Sequence, residues 1–239
     1  MKLKRYNKKH NYSYSFGLFP TTELIKNKKE KIQKVLFKED GLCHDEIKNT
    51  LEICKKQSIP FEINDKVIDK IAFKDNTYVV GVFEKYKCNI EKQKDHLVLV
   101  NPTNTGNLGT IIRTMLAFDF DNLIIIRPGV DIFNPKSISS SMGSFFNIKY
   151  EYYDTFYEYF KLFPDHNICS FMLDGEESLK DIKREKNENY SLVFGNEKSG
   201  LDEEFNKYGK TIFIEHSKNV ESLNLAISVG IVLYNLNLK

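Results

Sequence analysis

Apolar and polar positions alternate in short blocks along most of the chain. Residues 96–100 (HLVLV) form an apolar run that breaks into a loop of Asn, Thr, Pro and Gly. Helical spacing follows in Ile111, Ile112, Met115 and Leu116, which predicts strand, turn and a helix beginning near Asn107. Further strands are predicted over residues 123–127, 167–173, 191–194 and 211–214, and helices over residues 154–162 and 222–236. That alternation predicts an α/β fold with a mainly parallel sheet and helices on both faces. Upstream, strand-like runs at 35–37, 61–63 and 77–83 are interleaved with helical patterns at 20–29 (Thr22 as N-cap), 44–57 (Ile47, Leu51 and Cys54 at helical spacing) and 66–71. These describe a smaller α/β domain over residues 1–84. A charged linker over 85–95 and a second domain over 96–239 complete the expected organisation. Residues 1–16 lack periodicity and are expected to form an arm, flexible until bound.

Composition narrows the class. With 239 residues and 41% hydrophobic content, the chain can bury a real core. It has no run of about 18 apolar residues, so no membrane span is expected. Its basic N-terminus lacks the apolar segment of a secretory signal, which leaves the cytoplasm as the expected compartment. Cys43, Cys54, Cys88 and Cys169 are scattered without a C-x-x-C pair, so neither a metal site nor a disulfide framework is expected.

The net charge of +2 hides an asymmetry: residues 1–95 hold 21 Lys and Arg against 14 Asp and Glu, a net +7, and the remainder nets −5. Much of the excess lies in Lys2, Lys4, Arg5, Lys8, Lys9, Lys26, Lys28, Lys29, Lys31 and Lys34, with Tyr6, Tyr12, Tyr14 and Phe16 interleaved. Cations displace counterions from phosphate, and aromatic rings stack on unpaired bases, so the arm is expected to contact RNA.

Three stretches carry the candidate chemistry: NPTNTGNLGTIIRT (101–114), LVFGNEKSGL (192–201) and IFIEHSKNVESLNLAISVGIVLYN (212–235). In this order they resemble the three motifs of the SpoU/TrmH-type RNA ribose 2'-O-methyltransferases, members of the SPOUT superfamily. The resemblance implies a trefoil-knotted α/β domain, S-adenosyl-L-methionine as cofactor, an RNA substrate, and a homodimer whose active site draws on both chains. Carried over residue by residue, it implies Asn107, Arg113, Glu197, Ser222 and Asn224 as catalytic residues, with Gly195, Ile214 and Leu223 on the cofactor. The runs SFGLFPTTELI (15–25) and VVGVF (79–83) resemble, more loosely, the ribosomal-protein-like recognition domain that precedes the catalytic domain in several of these enzymes. A Rossmann-type methyltransferase is disfavoured, because no G-x-G-x-x-G follows a strand.

Residue chemistry leaves two readings at several positions. Glu197 caps a turn or orients Arg113 by a charge-assisted hydrogen bond, and the resemblance favours the second. Asn219 or Ser222 serves as N-cap of the last helix, or Ser222 and Asn224 enter the active site. The serine cluster SISSSMGS (137–144) caps turns or forms the substrate-side loop of the family. The family commonly has Pro-Met-Gly after its isoleucine, whereas this chain has Glu215, His216 and Ser217, and His216 reads as a surface or loop residue rather than a base. Because a guanidinium resists deprotonation, Arg113 is expected to bind the adjacent phosphate and stabilise the developing oxyanion. The function expected is 2'-O-methylation of large-subunit rRNA. A tRNA methyltransferase and a non-catalytic RNA-binding or assembly factor are the alternatives.

Overall fold

Tyr12, Tyr14 and Phe16 belong to a hydrophobic core in the computed structural model, which describes residues 3–237. Strand β1 (Tyr12–Phe16) is buried along its length and pairs antiparallel with β4 (Val79–Glu84). β4 pairs antiparallel with β2 (Ile32–Phe37), and β2 pairs parallel with β3 (Phe61–Ile63), giving the order β1-β4-β2-β3. One cluster joins Leu3, Tyr12, Tyr14, Phe16, Leu36, Val80 and Val82 to Ile68 and Ile71 of α3 (Asp65–Ile71). A second joins Val35, Phe37 and Val79 to Ile25 of α1 (Leu18–Asn27) and to Ile47, Leu51 and Cys54 of α2 (Asp45–Lys56).

The expected flexible arm is therefore corrected. Leu3 is buried, and three of its four aromatic residues are core side chains with no face left for a base. Lys2 lies outside the described residues. Helix α1 also starts earlier than expected. Gly17, at φ +98°, makes the left-handed entry that a side chain would strain. Thr22 thus sits inside the helix, its hydroxyl donating to the Leu18 carbonyl rather than capping.

The compact unit built on this sheet comprises the chain up to Tyr86 together with Asp131–Asn147. That second piece includes the serine-rich stretch and α5 (Pro135–Ser140), which the expected boundaries placed in the catalytic domain. Its attachment is apolar and polar at once. Phe83 packs against Phe133, Phe145 and Phe146 at ring distances of 6.2, 6.5 and 5.2 Å, and the Ser13 hydroxyl donates to the Phe133 carbonyl at 2.6 Å.

The other unit, Lys87–Val130 with Ile148 onward, holds a seven-stranded sheet. Its strands are β5 (His96–Val100), β6 (Asn122–Ile126), β7 (Lys149–Tyr153), β8 (Asn167–Phe171), β9 (Glu177–Ser178), β10 (Tyr190–Phe194) and β11 (Lys210–Phe213). The order is β7-β6-β5-β10-β8-β11-β9, and every pairing is parallel. Val98, Val100, Ile124, Ile126 and Val193 cluster with Phe156 and Tyr159 of α6 (Phe156–Leu162). The alternate residues Leu97, Leu99, Leu123 and Ile125 point to the opposite face and are equally buried. Two buried faces account for strands that read as unbroken apolar runs. Helices α4 (Thr105–Ala117) and α7 (Leu225–Asn237) pack on each other. β9, only two residues long, has no counterpart in the sequence pattern.

A buried polar relay ties residues 91 and 92 to this sheet. His96 Nε2 donates to the Glu91 carbonyl at 2.9 Å, which leaves Nδ1 to accept from the Tyr159 hydroxyl at 2.8 Å. His166 bridges Ser191 and the Lys92 carbonyl, each at 2.9 Å. Burial pushes the His96 pKa down from 6.5 to about 4. Between those values the unfolded chain binds a proton that folded His96 refuses, so stability falls as pH falls through that window and levels off below it. At roughly 1.4 kcal/mol per pH unit, denaturant titrations should lose about 3 kcal/mol between pH 7 and pH 4. A His96→Gln variant, which keeps a donor for the Glu91 carbonyl, should show a flatter profile. An equally steep one would place the effect elsewhere.

Candidate active site

Motif residues meet at the C-terminal ends of the central strands, where ligands bind in open parallel sheets. β5 ends at Val100, and Asn101 turns the chain with φ +52°. Asn104 then caps α4, its Oδ1 accepting from the backbone N–H groups of Gly106 and Asn107 at 2.8 and 3.1 Å. The adjoining strand β10 ends at Phe194, and the loop after it doubles back, with Asn196 and Gly200 exchanging backbone hydrogen bonds at 3.1 and 3.0 Å. Asn196 Nδ2 donates to the Asn101 carbonyl at 2.7 Å, which fastens the second loop to the first.

Glu197 is the hub. Its carboxylate accepts from the Thr103 N–H at 3.0 Å, the Thr103 hydroxyl at 2.8 Å, the Asn104 N–H at 3.0 Å and Asn107 Nδ2 at 3.4 Å. Burial pushes its carboxyl up, but hydrogen bonds from its own backbone, Thr103 and Asn104 outweigh that and hold it below the usual carboxylate range. Glu197 is therefore an ionised acceptor at neutral pH. Asn107 passes the connection on, its Oδ1 accepting from Asn224 Nδ2 at 3.3 Å. The chain Glu197–Asn107–Asn224 thus links all three motifs.

Asn224 has a second task. Its Oδ1 accepts from Ala226 N–H at 2.9 Å and Ile227 N–H at 3.4 Å, so Asn224 caps α7, not Asn219 or Ser222. The last helix accordingly begins at Leu225, three residues later than the pattern suggests. Ser222 stands free of this hydrogen-bonded chain and lines the adjacent cavity.

That cavity has a volume of about 430 Å³ and takes its walls from the ends of β8, β10 and β11 and from the turn before α7. Gly195, Glu197, Ile214, Ser222 and Leu223 all line it. Gly195 is held there by contact: a Cβ at this position would lie 2.1 Å from the Gly200 carbonyl carbon and 2.5 Å from the Leu201 nitrogen. Among the side chains of the wall, Asp174, Glu197 and Glu221 oppose the one amine of Lys198, an acidic balance suited to a cationic ligand. His216 also lines the cavity. It is exposed, and its Nδ1 donates to the Ile214 carbonyl at 2.8 Å. Glu215 turns away to Ser178 and Lys180, so β9 occupies the residue that departs from the family pattern.

Arg113 is the one site residue the chain does not bring in. It is exposed on α4 and makes no ion pair among the described residues, so the expected hydrogen bond to Glu197 is not formed. Helix geometry gives the reason. Six residues past Asn107, Arg113 lies about 9 Å along the axis and about 120° around it, on another face. Thr103 and Asn104, which take the carboxylate instead, belong to the first motif but were not among the expected site residues.

The model of the SpoU rRNA methylase family matches residues 94–234. The chain belongs to this family. TrmJ of Methanocaldococcus jannaschii, a tRNA (cytidine-2'-O-)-methyltransferase, is 28% identical over 154 residues, covering 60% of this chain and 67% of its own. The 23S rRNA (adenosine(1067)-2'-O)-methyltransferase of Streptomyces azureus is 24% identical over 195 residues, 77% of this chain and 72% of its own. The crystal structure of an AdoMet-bound rRNA methyltransferase from Sinorhizobium meliloti superposes with a TM-score of 0.77 at 25% identity, over 94% of this chain and 86% of that one. The parallel sheet of this SpoU-family chain is thus the expected fold, and the family membership read from its three motifs holds.

Proposed function

We propose that the chain is an S-adenosylmethionine-dependent RNA ribose 2'-O-methyltransferase acting on large-subunit rRNA. The observation that carries this reading is the Glu197–Asn107–Asn224 chain beside a cavity of cofactor size whose wall is acidic. The cofactor, when bound, supplies an electrophilic methyl group on a sulfonium. Gly195, Ile214 and Leu223 offer backbone to it, and the surplus of carboxylates offsets its positive charge. Asn107, Glu197, Ser222 and Asn224 hold the rim in one geometry, so that the 2'-oxygen is aligned for in-line attack. Arg113 binds the neighbouring phosphate and stabilises the oxygen as its proton passes to solvent.

Ribosomal RNA is favoured by the Streptomyces azureus alignment, which covers 77% of this chain, more than residues 96–239 can supply, and so extends into the first domain. The alignment with the tRNA enzyme covers 60% of the chain, no more than the catalytic region itself. Labelled S-adenosylmethionine offered with purified 23S rRNA or bulk tRNA should label the rRNA. Label in tRNA alone would support the alternative substrate, and label in neither a non-catalytic factor.

A homodimer is part of the same proposal. Ile227, Ile231 and Tyr234 form an exposed apolar stripe on α7, with relative exposures of 56%, 37% and 58%. The neighbouring α4 carries Arg113, which makes no ion pair among the described residues, and a second copy would give both features an occupant. Light scattering should return the mass of a dimer, and Ile231→Asp should halve it and abolish transfer. A monomeric mass for the unaltered chain would contradict this.

A further inference from the structure

The first compact unit contains a cleft of about 900 Å³ that none of the motifs accounts for. One wall is the loop that follows α3, residues 72–77, and the other is formed by Asn134, Pro135 and Lys136 at the start of α5. The loop is tied at its base, where the Thr77 hydroxyl donates to the Lys74 carbonyl at 3.0 Å and Asn76 turns the chain at φ +57°. Phe73 projects from this polar loop. One side rests on Phe16, edge to face at 5.0 Å, and 37% of its surface remains open. Lys74 Nζ stands 5.7 Å from the Phe73 ring centroid.

The charges are lopsided. Arg5, Lys38, Lys74 and Lys136 line the cleft against Asp69 and Asp75, and Asp69 is already paired with Lys38. Arg5 spends one donor on the Lys70 carbonyl at 3.2 Å and is otherwise exposed. An exposed ring beside uncommitted cations is the combination that binds single-stranded nucleic acid, the ring taking the π-face of a base and the cations its phosphates.

We propose that this cleft binds an unpaired nucleotide of the RNA substrate, with its base against Phe73 and its phosphates at Lys74 and Lys136. The inference rests on the RNA methyltransferase reading and gives the first unit a specific contact. It replaces Tyr12, Tyr14 and Phe16, which are core residues, with Phe73 as the stacking surface.

The test uses the full-length chain and a fluorescein-labelled dodecauridylate, read by anisotropy across a salt series. Phe73→Ala should weaken binding about tenfold. Lys74→Ala and Lys136→Ala should each lower the slope of log affinity against log salt by about 0.7, the value for one phosphate contact on a single strand. Both lysines are exposed, so these variants report even if loss of Phe73 disturbs folding, which a melting curve would reveal. Unchanged affinity in Phe73→Ala together with unchanged slopes would overturn the proposal. So would displacement of the oligonucleotide by polyglutamate at equal charge, which would mark a site for acidic protein, or failure of the unaltered chain to bind the oligonucleotide. Methyl transfer to purified 23S rRNA, measured alongside, separates the two readings: transfer without oligonucleotide binding sinks the cleft alone, and absence of both sinks the enzyme reading too.

Discussion

Arg113→Ala should slow methyl transfer by on the order of a hundredfold or more, as removal of an oxyanion donor does in other acceptor sites, while leaving S-adenosylmethionine affinity unchanged. The second half of this expectation follows from position. Arg113 is exposed on α4, outside the cavity wall, and Glu197 is already occupied by Thr103, Asn104 and Asn107. Its removal therefore leaves the cofactor-side geometry intact. Arg113→Lys should recover little, because a point charge does not replace a planar fork at a phosphate. Unchanged turnover in Arg113→Ala would remove the guanidinium from the mechanism.

Gly195→Ala should weaken S-adenosylmethionine binding by on the order of a hundredfold, the upper end of what forced overpacking costs. The added methyl would meet Gly200 and Leu201 backbone at 2.1 to 2.5 Å, and no side chain can swing aside to admit it. The loop from 195 to 201 must move, and the cavity wall moves with it. Gly200→Ala is the informative control. Its Cβ would meet nothing within 4 Å, so only its left-handed φ of +69° opposes the change, at about 1–2 kcal/mol. Calorimetric titration of the cofactor should rank the two variants in that order. Equal affinities would mean that the loop is not part of the binding wall.

Arg113→Ala and Gly195→Ala combine into a test of the dimer. At low S-adenosylmethionine each alone should turn over at about a hundredth of the wild-type rate. If each site takes its cavity from one chain and Arg113 from the other, a reassociated one-to-one mixture should recover about a quarter of wild-type activity, since about half the dimers are mixed and each holds one intact site. No recovery would place Arg113 and the cavity in the same chain's site.

Much of the catalytic unit was legible in the chain because its information is local. Doubly buried strands read as apolar runs, and three polar loops at strand ends carry their own spacing. What failed was non-local. Ser13 and Ser15 make residues 1–16 look like surface, yet both are fully buried. They can be, because Ser13 finds the Phe133 carbonyl, 120 residues away, and Ser15 finds Thr21. The same distant segment moved a domain boundary, since nothing near residues 131–147 in sequence shows that Phe83 lies against them. The Arg113–Glu197 contact failed for a geometric reason, the mismatch of six residues with the helical repeat. β9 is too short to carry any period.

Alkaline hydrolysis of the labelled RNA separates methyl transfer to a ribose 2'-oxygen from methylation of a base. The 2'-hydroxyl is the nucleophile that cleaves RNA in base, so a methylated position resists cleavage. After incubation of 23S rRNA with labelled S-adenosylmethionine, the label should emerge in alkali-stable dinucleotides. Label recovered in mononucleotides, the mark of base methylation, would contradict the account, as would RNA that takes up no label.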